Sequence, residues 1–418
     1  MKLKNIKLHL SLNNSIAIIG AGASGLFASI LLAKKGFRVS VYEKNTKAGR
    51  KLLATGNGRC NVSNENLSLE YFHSHNYQFF KDAIENFPYE EFEKLVFSFG
   101  LDLQSRGTRV YPKSDQASSV VDVLYNEALD NGVQFYFEQE IESIEKKDNF
   151  IIKTVDKIYK ASKVVIATGS SAMTKLGSSD SGYKLAQNFG HTIIDPIASL
   201  VQMESDNSDV KKLSGVKAQA NVTLVVNNQK ISSKEGDFLF TKYGVSGDTI
   251  LDLSCEASVE LNNYAQVEVI VDLFPKEDKN KLLGLLQRKQ NQIAKKKKEF
   301  LLLSLIHSKL IDYVFKLAQL DHKLFVQDLN KKDLLNLVHT MKNIRINITK
   351  SRGYEYAEVV SGGIDTTLID SKTFESKKQK GLYCIGEVLD VDGDCGGYNL
   401  HFAWASAYNL ALHLKPIK

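Results

Sequence analysis

The chain has few cysteines, four in 418 residues, and none of them stands in a C-x-x-C pair. Cys60, Cys255, Cys384 and Cys395 are scattered, the closest two eleven positions apart. That excludes the spacing of a disulfide framework, a zinc site or a dithiol redox centre, and a reducing, cytoplasmic setting is expected. No stretch approaches about 18 uninterrupted apolar residues, so no transmembrane helix is predicted. The opening "MKLKNIKLHLSLNN" is basic but lacks an apolar h-region and a small-residue cleavage site, so secretion is not predicted. Charge of one sign is also scarce: 54 basic against 48 acidic side chains leave a net +6. So mild an excess gives no reason to expect a nucleic-acid partner. Repeats and low-complexity linkers are absent, so shifts in composition along the chain read as insertions into one domain.

What is present begins at "SIAIIGAGASGLFASILLAKKGFRVSVYEK". Ile16 to Ile19 is a short, β-branched apolar run suited to a buried parallel strand. Gly20 to Gly25 matches G-x-G-x-x-G, Leu26 to Lys35 has helical spacing and stops at Gly36, and Val39 to Tyr42 reads as a second strand. Gly20 allows the tight turn, Gly22 lets a pyrophosphate approach the backbone, and Gly25 lets helix and strand pack closely. The helix N-terminus offers free N–H groups and a positive dipole end to phosphates. Glu43, eighteen residues beyond Gly25, is placed to accept from a ribose hydroxyl. Strand, glycine loop, helix, strand and terminal acid in this order predict dinucleotide binding.

"AGRKLLATGNGRCNVSN", residues 48 to 64, has neither helical nor strand periodicity. Its glycines, with Arg50, Lys51 and Arg59, predict a loop whose backbone lies against a ligand. Residues 76 to 132 alternate helical patterns with turns, and a strand meander follows, ending in the buried strand Val164 to Ala167 and then Thr168-Gly169. From about His191 to Asp272, short strands with turn residues between them and no helices predict a small antiparallel sheet or barrel. Residues 275 to about 340 turn leucine- and lysine-rich, predicting amphipathic helices. Within them Lys295 to Lys298 reads as a solvated helix face or connector rather than a nucleic-acid patch.

The tail restores the nucleotide-domain style, with a buried strand Leu382 to Ile385 and a small-residue helix Tyr398 to Leu414. Between them, "GEVLDVDGDCGGYNL" sets Asp390, Asp392 and Asp394 at alternating positions, as in a calcium loop. The loop fails that test: its sixth position, where the sharp turn needs glycine, is Cys395, and its twelfth, where a bidentate acid belongs, is His401. No metal is expected. Gly396-Gly397 instead opens a helix whose N-terminus suits an acceptor-rich ligand edge, such as the N1–C2=O side of a reduced flavin.

Together with "GRKLLATGNGRCNVSN", "FTKYGVSGDTILDLS" and "SGGIDTTLIDSKTFESK", these motifs resemble, over almost the whole chain, the aminoacetone oxidase family of FAD-binding enzymes, which includes the BaiN-type NAD(P)/FAD-dependent bile-acid reductases. The resemblance implies an α/β fold: a discontinuous Rossmann-type FAD-binding domain (1–190 and 346–418), interrupted by a β-barrel-like domain (191–272 and 327–345) carrying a helical insert (273–326). It implies that Gly20, Gly22, Ala23, Ser24 and Gly25 contact the pyrophosphate and that Glu43, with Lys44 beside it, meets the adenosine ribose. Arg50, Lys51 and Gly58, Arg59, Cys60 and Asn61 would lie along the flavin-side phosphates and ring, with Thr168 and Gly169 on the adenine side. Gly386, Glu387, Gly397, Tyr398, Asn399 and Leu400 would close over the ribityl chain and the flavin pyrimidine edge. Cys395 stands where the family more often carries threonine.

The expected activity is an FAD-dependent oxidoreductase moving hydride to or from flavin N5 on a small-molecule substrate. A second G-x-G-x-x-G is absent, so NAD(P)H is expected only as a transient donor. An oxygen-dependent amine oxidase is the alternative, or a flavoprotein that binds RNA or protein through its basic helices. Cys60 next to Arg59 suggests a thiolate, but with no resolving cysteine nearby, packing is the expectation. No catalytic acid or base is singled out.

Overall fold

A computed structural model describes residues 13–417. The basic opening segment read above for targeting lies, up to residue 12, outside the described residues. The chain forms two compact units: residues up to 197 together with those from 358 onward, and residues 198–357.

In the first unit five short parallel strands stand in the order Leu382–Cys384, Lys163–Ile166, Ser15–Ile19, Arg38–Tyr42, Gln134–Tyr136. Ile18 lies opposite Val165 on one side and Val41 on the other. Helices cover both faces of such a sheet, which is why these strands read as unbroken apolar runs rather than alternating ones. Helix Ala23–Lys34 follows the first strand and packs against the terminal helix Tyr398–His413, where the Phe27 and Trp404 rings meet edge to face at 5.4 Å. Lys35 Nζ donates to the carbonyls of Ala411 and Leu412, tying the ends of the two helices together. The expected meander is a three-stranded antiparallel sheet of Ser143–Lys146, Phe150–Lys153 and Ile158–Ala161.

The stretch 48–64 is more ordered than its lack of periodicity predicts. Arg50–Ala54 is one short helix, followed by a 3-10 turn Thr55–Gly58 with Gly56 and Asn57 in left-handed backbone. Five residues are too few to show a helical period.

The second unit is built on a seven-stranded antiparallel sheet in the order Ile344–Ile348, Val267–Asp272, Lys217–Val226, Gln229–Phe240, Gly244–Ser246, Met203–Glu204, Lys350–Ser351. The first and last of these are consecutive in the chain, separated by Thr349 alone. One extended segment thus bonds Val267–Asp272 through its first half and Met203–Glu204 through its second, so the sheet curls round and closes on itself.

Three expectations for this unit are corrected. Residues 191–272 are not free of helices: Asp248–Asn262 is a 15-residue helix with Ile250, Leu251, Leu253, Ser254 and Ala257 buried. The β-branched start Thr249-Ile250 disguises it, while Gly247 before it and Asp248 in its first turn are start signals. The helical insert does not end at the 326 that the resemblance implies: Lys331–Met341 follows Lys279–Ile293 and Ser308–Leu317, as the composition up to about 340 predicts. The return to the first unit falls at 358 rather than 346, because 344–351 is the closing segment of the sheet.

Lys298 is also misread by pattern. The helix before it stops at Ile293, and Lys297 pairs with Phe325 in an isolated antiparallel bridge. Lys298 turns inward, 7% exposed, donating to the carbonyls of Leu320 and Asp321 with Nζ 5.1 Å from the Phe315 ring centroid. Removing the ammonium leaves both carbonyls without that donor. Lys298→Met should destabilise the second unit by about 1–3 kcal/mol, read as an earlier urea midpoint.

Candidate cofactor site

The expected cofactor residues all lie in the first unit, and Gly20, Glu43, Thr168 and Gly386 follow the carboxyl ends of four of its parallel strands, which run to both sides of Ser15–Ile19. Gly20 N donates to Tyr42 O at 2.8 Å, and a Cβ on Gly20 would lie 2.5 Å from Ala167 O. A Cβ on Gly25 would lie 2.0 Å from Gly20 O, so helix and loop touch backbone to backbone. Gly22 faces open space, with nothing within 4 Å of a Cβ built there. Two glycines are thus required by packing, and the third leaves room at the helix N-terminus.

Glu43 is buried, and its carboxylate is already positioned: Oε2 accepts from Ala21 N at 2.8 Å, and Oε1 accepts from Asn45 N at 2.9 Å and Asn45 Nδ2 at 2.6 Å. Oε1 is thereby filled, while Oε2 retains acceptor capacity for a ribose hydroxyl. Arg50, expected on the flavin side, donates instead to Asn45 Oδ1 at 2.7 Å, beside this acid. Lys44 reaches Ser179 Oγ at 2.6 Å. Lys51, from the following helical turn, ion-pairs with Glu387 at 2.6 Å, and Ser170 Oγ donates to the same carboxylate at 2.6 Å. This joins three segments that the sequence treats separately. Gly386 presses on the first helix, since a Cβ there would lie 2.4 Å from Ser24 Oγ.

The terminal helix grips the segment Asn61–Asn64. Trp404 Nε1 donates to Val62 O at 2.9 Å, Ser63 Oγ donates to His401 Nδ1 at 2.9 Å, and Asn64 Nδ2 donates to Gly396 O at 2.9 Å. His401 Nε2 lies 2.8 Å from Phe87 O, so the ring is neutral with its proton on Nε2. Gly397, at φ +97°, starts the helix so close to this segment that a Cβ would lie 2.3 Å from Ser63 O and 2.9 Å from Asn61 Oδ1. Asn61 Oδ1 is buried and has no hydrogen-bond partner. Gly58 and Gly169, both left-handed, face open space.

Not every expected residue offers its side chain. Tyr398 stacks on Tyr71 at 4.8 Å, and Asn399 spends its amide on Gly393, accepting from N at 2.9 Å and donating to O at 2.6 Å. Thr168 Oγ1 sits against Gly182, where a Cβ would approach it to 1.9 Å. Cys60 is fully buried, and burial pushes its thiol up to about 11, while Arg59 lies over the Tyr111 ring at 5.5 Å, so the packing reading stands. Asn45, Ser170, His401 and Trp404 were missed by sequence reading. Only Asn45, two residues past Glu43, had a local signal.

The description "HI0933-like protein Rossmann domain" matches residues 14–413. The chain belongs to this family. It is similar to the 3-dehydro-bile acid delta(4,6)-reductase of Clostridium scindens, 32% identical over 398 residues, which are 94% of this chain and 97% of that protein. It is equally similar, at 32%, to the ribosomal RNA dihydrouridine synthases of Haemophilus influenzae (95% of this chain, 98% of that one) and Escherichia coli (96% and 98%). The protein is an FAD-dependent oxidoreductase. Among the described residues no helix is long and apolar enough to cross a membrane.

The HI0933-like site fits FAD: an orphaned acceptor on Asn61, open glycines at 22, 58 and 169, and a positioned acid on Glu43. Gly20–Gly25 would hold its pyrophosphate, Glu43 its ribose, and Asn61 with the Gly397 helix start its ring. When bound, FAD supplies hydride chemistry that no side chain has. The chain's part is to orient, exclude water and present donors. Gly397→Val should expel FAD while circular dichroism stays native, checked by flavin absorbance of the purified protein.

Behind the HI0933-like helix start, the three aspartates form a buried acid cluster. Asp394 Oδ1 is 2.7 Å from His73 Nε2, and Asp390 accepts from His75 N at 3.0 Å. Asp392 Oδ1 is buried without a partner, and burial, reinforced by Asp390 and Asp394 and opposed by His73 and Ser361, pushes that carboxyl up to about 7. Burial pushes His401 the other way, down to about 4. Between about pH 4 and 7 the folded state holds more protons on Asp392 than the unfolded state, so this contribution falls as pH rises. Between about 6.5 and 4 it holds fewer on His401, so that contribution falls as pH drops. The two oppose each other in one window. Urea midpoints should therefore fall from pH 4 to 7 in His401→Gln, and fall on acidification from pH 6.5 to 4 in Asp392→Asn.

Proposed function

We propose that the enzyme adds hydride, carried by FAD from NAD(P)H, to a carbon–carbon double bond conjugated to a carbonyl. The observation that carries this reading is the kind of bond named in two relatives with unlike substrates, each 32% identical over nearly the whole chain. A 3-dehydro-Δ(4,6) acid has a dienone, and dihydrouridine is uridine with its C5=C6 bond, conjugated to the C4 carbonyl, saturated. In both, hydride goes to the β-carbon and a proton to the α-carbon, and NAD(P)H leaves as NAD(P)+. The shared demand is a flavin whose N5 is open to a flat enone, and the residues around Asn61 and Gly397 would hold that ring. Four free cysteines accord with a reducing cytoplasm as the place of action.

Between the two substrates, charge distribution favours uridine in RNA. From Lys279 to Lys342 there are fourteen basic and five acidic residues, a net +9, so the rest of the chain carries −3. The mild total conceals a concentrated cationic segment, which suits a polyanion better than a small monoanionic steroid. The experiment is anaerobic: NADH or NADPH should bleach the yellow protein, and a uridine-containing RNA transcript should restore the colour and gain two mass units per reduced base. Recolouring by a 4-en-3-oxo steroid and not by RNA would move the substrate to the steroid class. Bleaching by amines with recolouring by oxygen alone would replace the reductase with an oxidase.

A further inference from the structure

The lysine run Lys295–Lys298 and the strand-like segment Leu324–Gln327 form a single surface in the second unit. Val326 N donates to Lys296 O at 2.9 Å, Lys298 N to Leu324 O at 3.0 Å, and Gln327 N to Ala294 O at 2.9 Å. Lys298 is the buried anchor of this pairing, and its inward turn leaves Lys295, Lys296 and Lys297 exposed. Among the described residues none of these three has a carboxylate within ion-pair distance, so their charge is available. Exposed rings stand beside them: Phe300 is 44% and Phe325 41% accessible, and Lys296 Nζ lies 5.2 Å from the Phe300 ring centroid. Both phenylalanines thus present part of a ring face to solvent next to the lysines. Phosphate-binding charge next to aromatic faces is the combination that holds single-stranded nucleic acid, with lysines tracking the backbone and bases stacking on the rings.

We propose that this ridge is the docking surface for a single-stranded stretch of RNA, with Lys295, Lys296 and Lys297 on phosphates and Phe300 and Phe325 stacking bases. The inference rests on the reading of RNA as substrate, and it assigns to the lysine run a role that compositional averaging denied it. Each phosphate contact adds about 0.7 to the salt slope on a single strand, so three lysines account for a slope of about two.

The test is fluorescence anisotropy of a labelled 20-nucleotide oligouridylate on the full-length holoenzyme at 50 and 200 mM salt. Wild type should lose roughly 20-fold more affinity over that range than the triple variant K295Q/K296Q/K297Q. Phe300→Ala combined with Phe325→Ala should weaken binding at least about fivefold with the salt slope unchanged, because stacking carries no counterion release. Flavin content and NAD(P)H bleaching should be those of wild type in both variants, and unchanged urea midpoints show that the second unit folds. Variants that bind oligouridylate as wild type does overturn the surface, even where wild type reduces RNA. Equal affinity for an RNA duplex, or for phosphatidylglycerol vesicles, overturns the single-strand assignment. A wild type that binds no RNA yet reduces an enone overturns the substrate reading, while the reductase itself stands.

Discussion

The cofactor cradle depends on one interaction, the grip of the terminal helix on Asn61–Asn64. That segment has little regular structure of its own, only the short pairing of Ser63 and Asn64 with Val110 and Arg109. Its place is set by Trp404, His401 and Gly396, all more than 330 residues away in sequence. Backbone carbonyls and hydroxyls buried this deeply need partners, and the helix supplies them one by one. The absence of a side chain at Gly397 then brings the helix start against Asn61, whose buried Oδ1 has no partner. Order is imposed on a loop by a helix, with one buried polar atom left unpartnered as the consequence.

Around that grip, charge is placed with partners already in hand. Glu43 is fixed by Ala21 and Asn45 before any ribose arrives, and Glu387 is held by Lys51 and Ser170. Such preorganisation means that ligand binding need not order these side chains. His401, by contrast, is buried in its neutral form across the physiological range, and burial keeps the Asp392 carboxyl protonated up to about pH 7. Burial of each group disfavours its charged form, which is why the acid is raised and the base lowered.

The nucleotide-binding half was legible because its signals are local: glycines at fixed spacing, a buried strand on each side, and an acid at the second strand's end. The closed antiparallel sheet was legible as a class, since alternation and turn residues survive in its strands. The helix Asp248–Asn262 was not, because Thr249 and Ile250 imitate a strand and its polar face is interleaved with buried serines. Lys298 was unreadable in principle, for its inward turn is decided by carbonyls at 320 and 321. The side-chain use of Tyr398 and Asn399 was hidden in the same way. A motif locates a backbone, but tertiary neighbours decide where its side chains go.

The segment 344–351 completes both edges of the second unit's sheet, and it follows the basic helices in the chain. During synthesis from the N-terminus, then, the sheet stays open until nearly all of the intervening helical stretch has emerged. The first unit waits longer still, because Leu382–Cys384 and the gripping helix are made last. The glycine loop precedes Asn61 closely in the chain, yet the surroundings of Asn61 are complete only once residues 396–404 are made. On the site described above, flavin capture would wait for the Tyr398–His413 helix, and a chain truncated before Tyr398 would keep the nucleotide-binding motif without the helix that grips Asn61–Asn64.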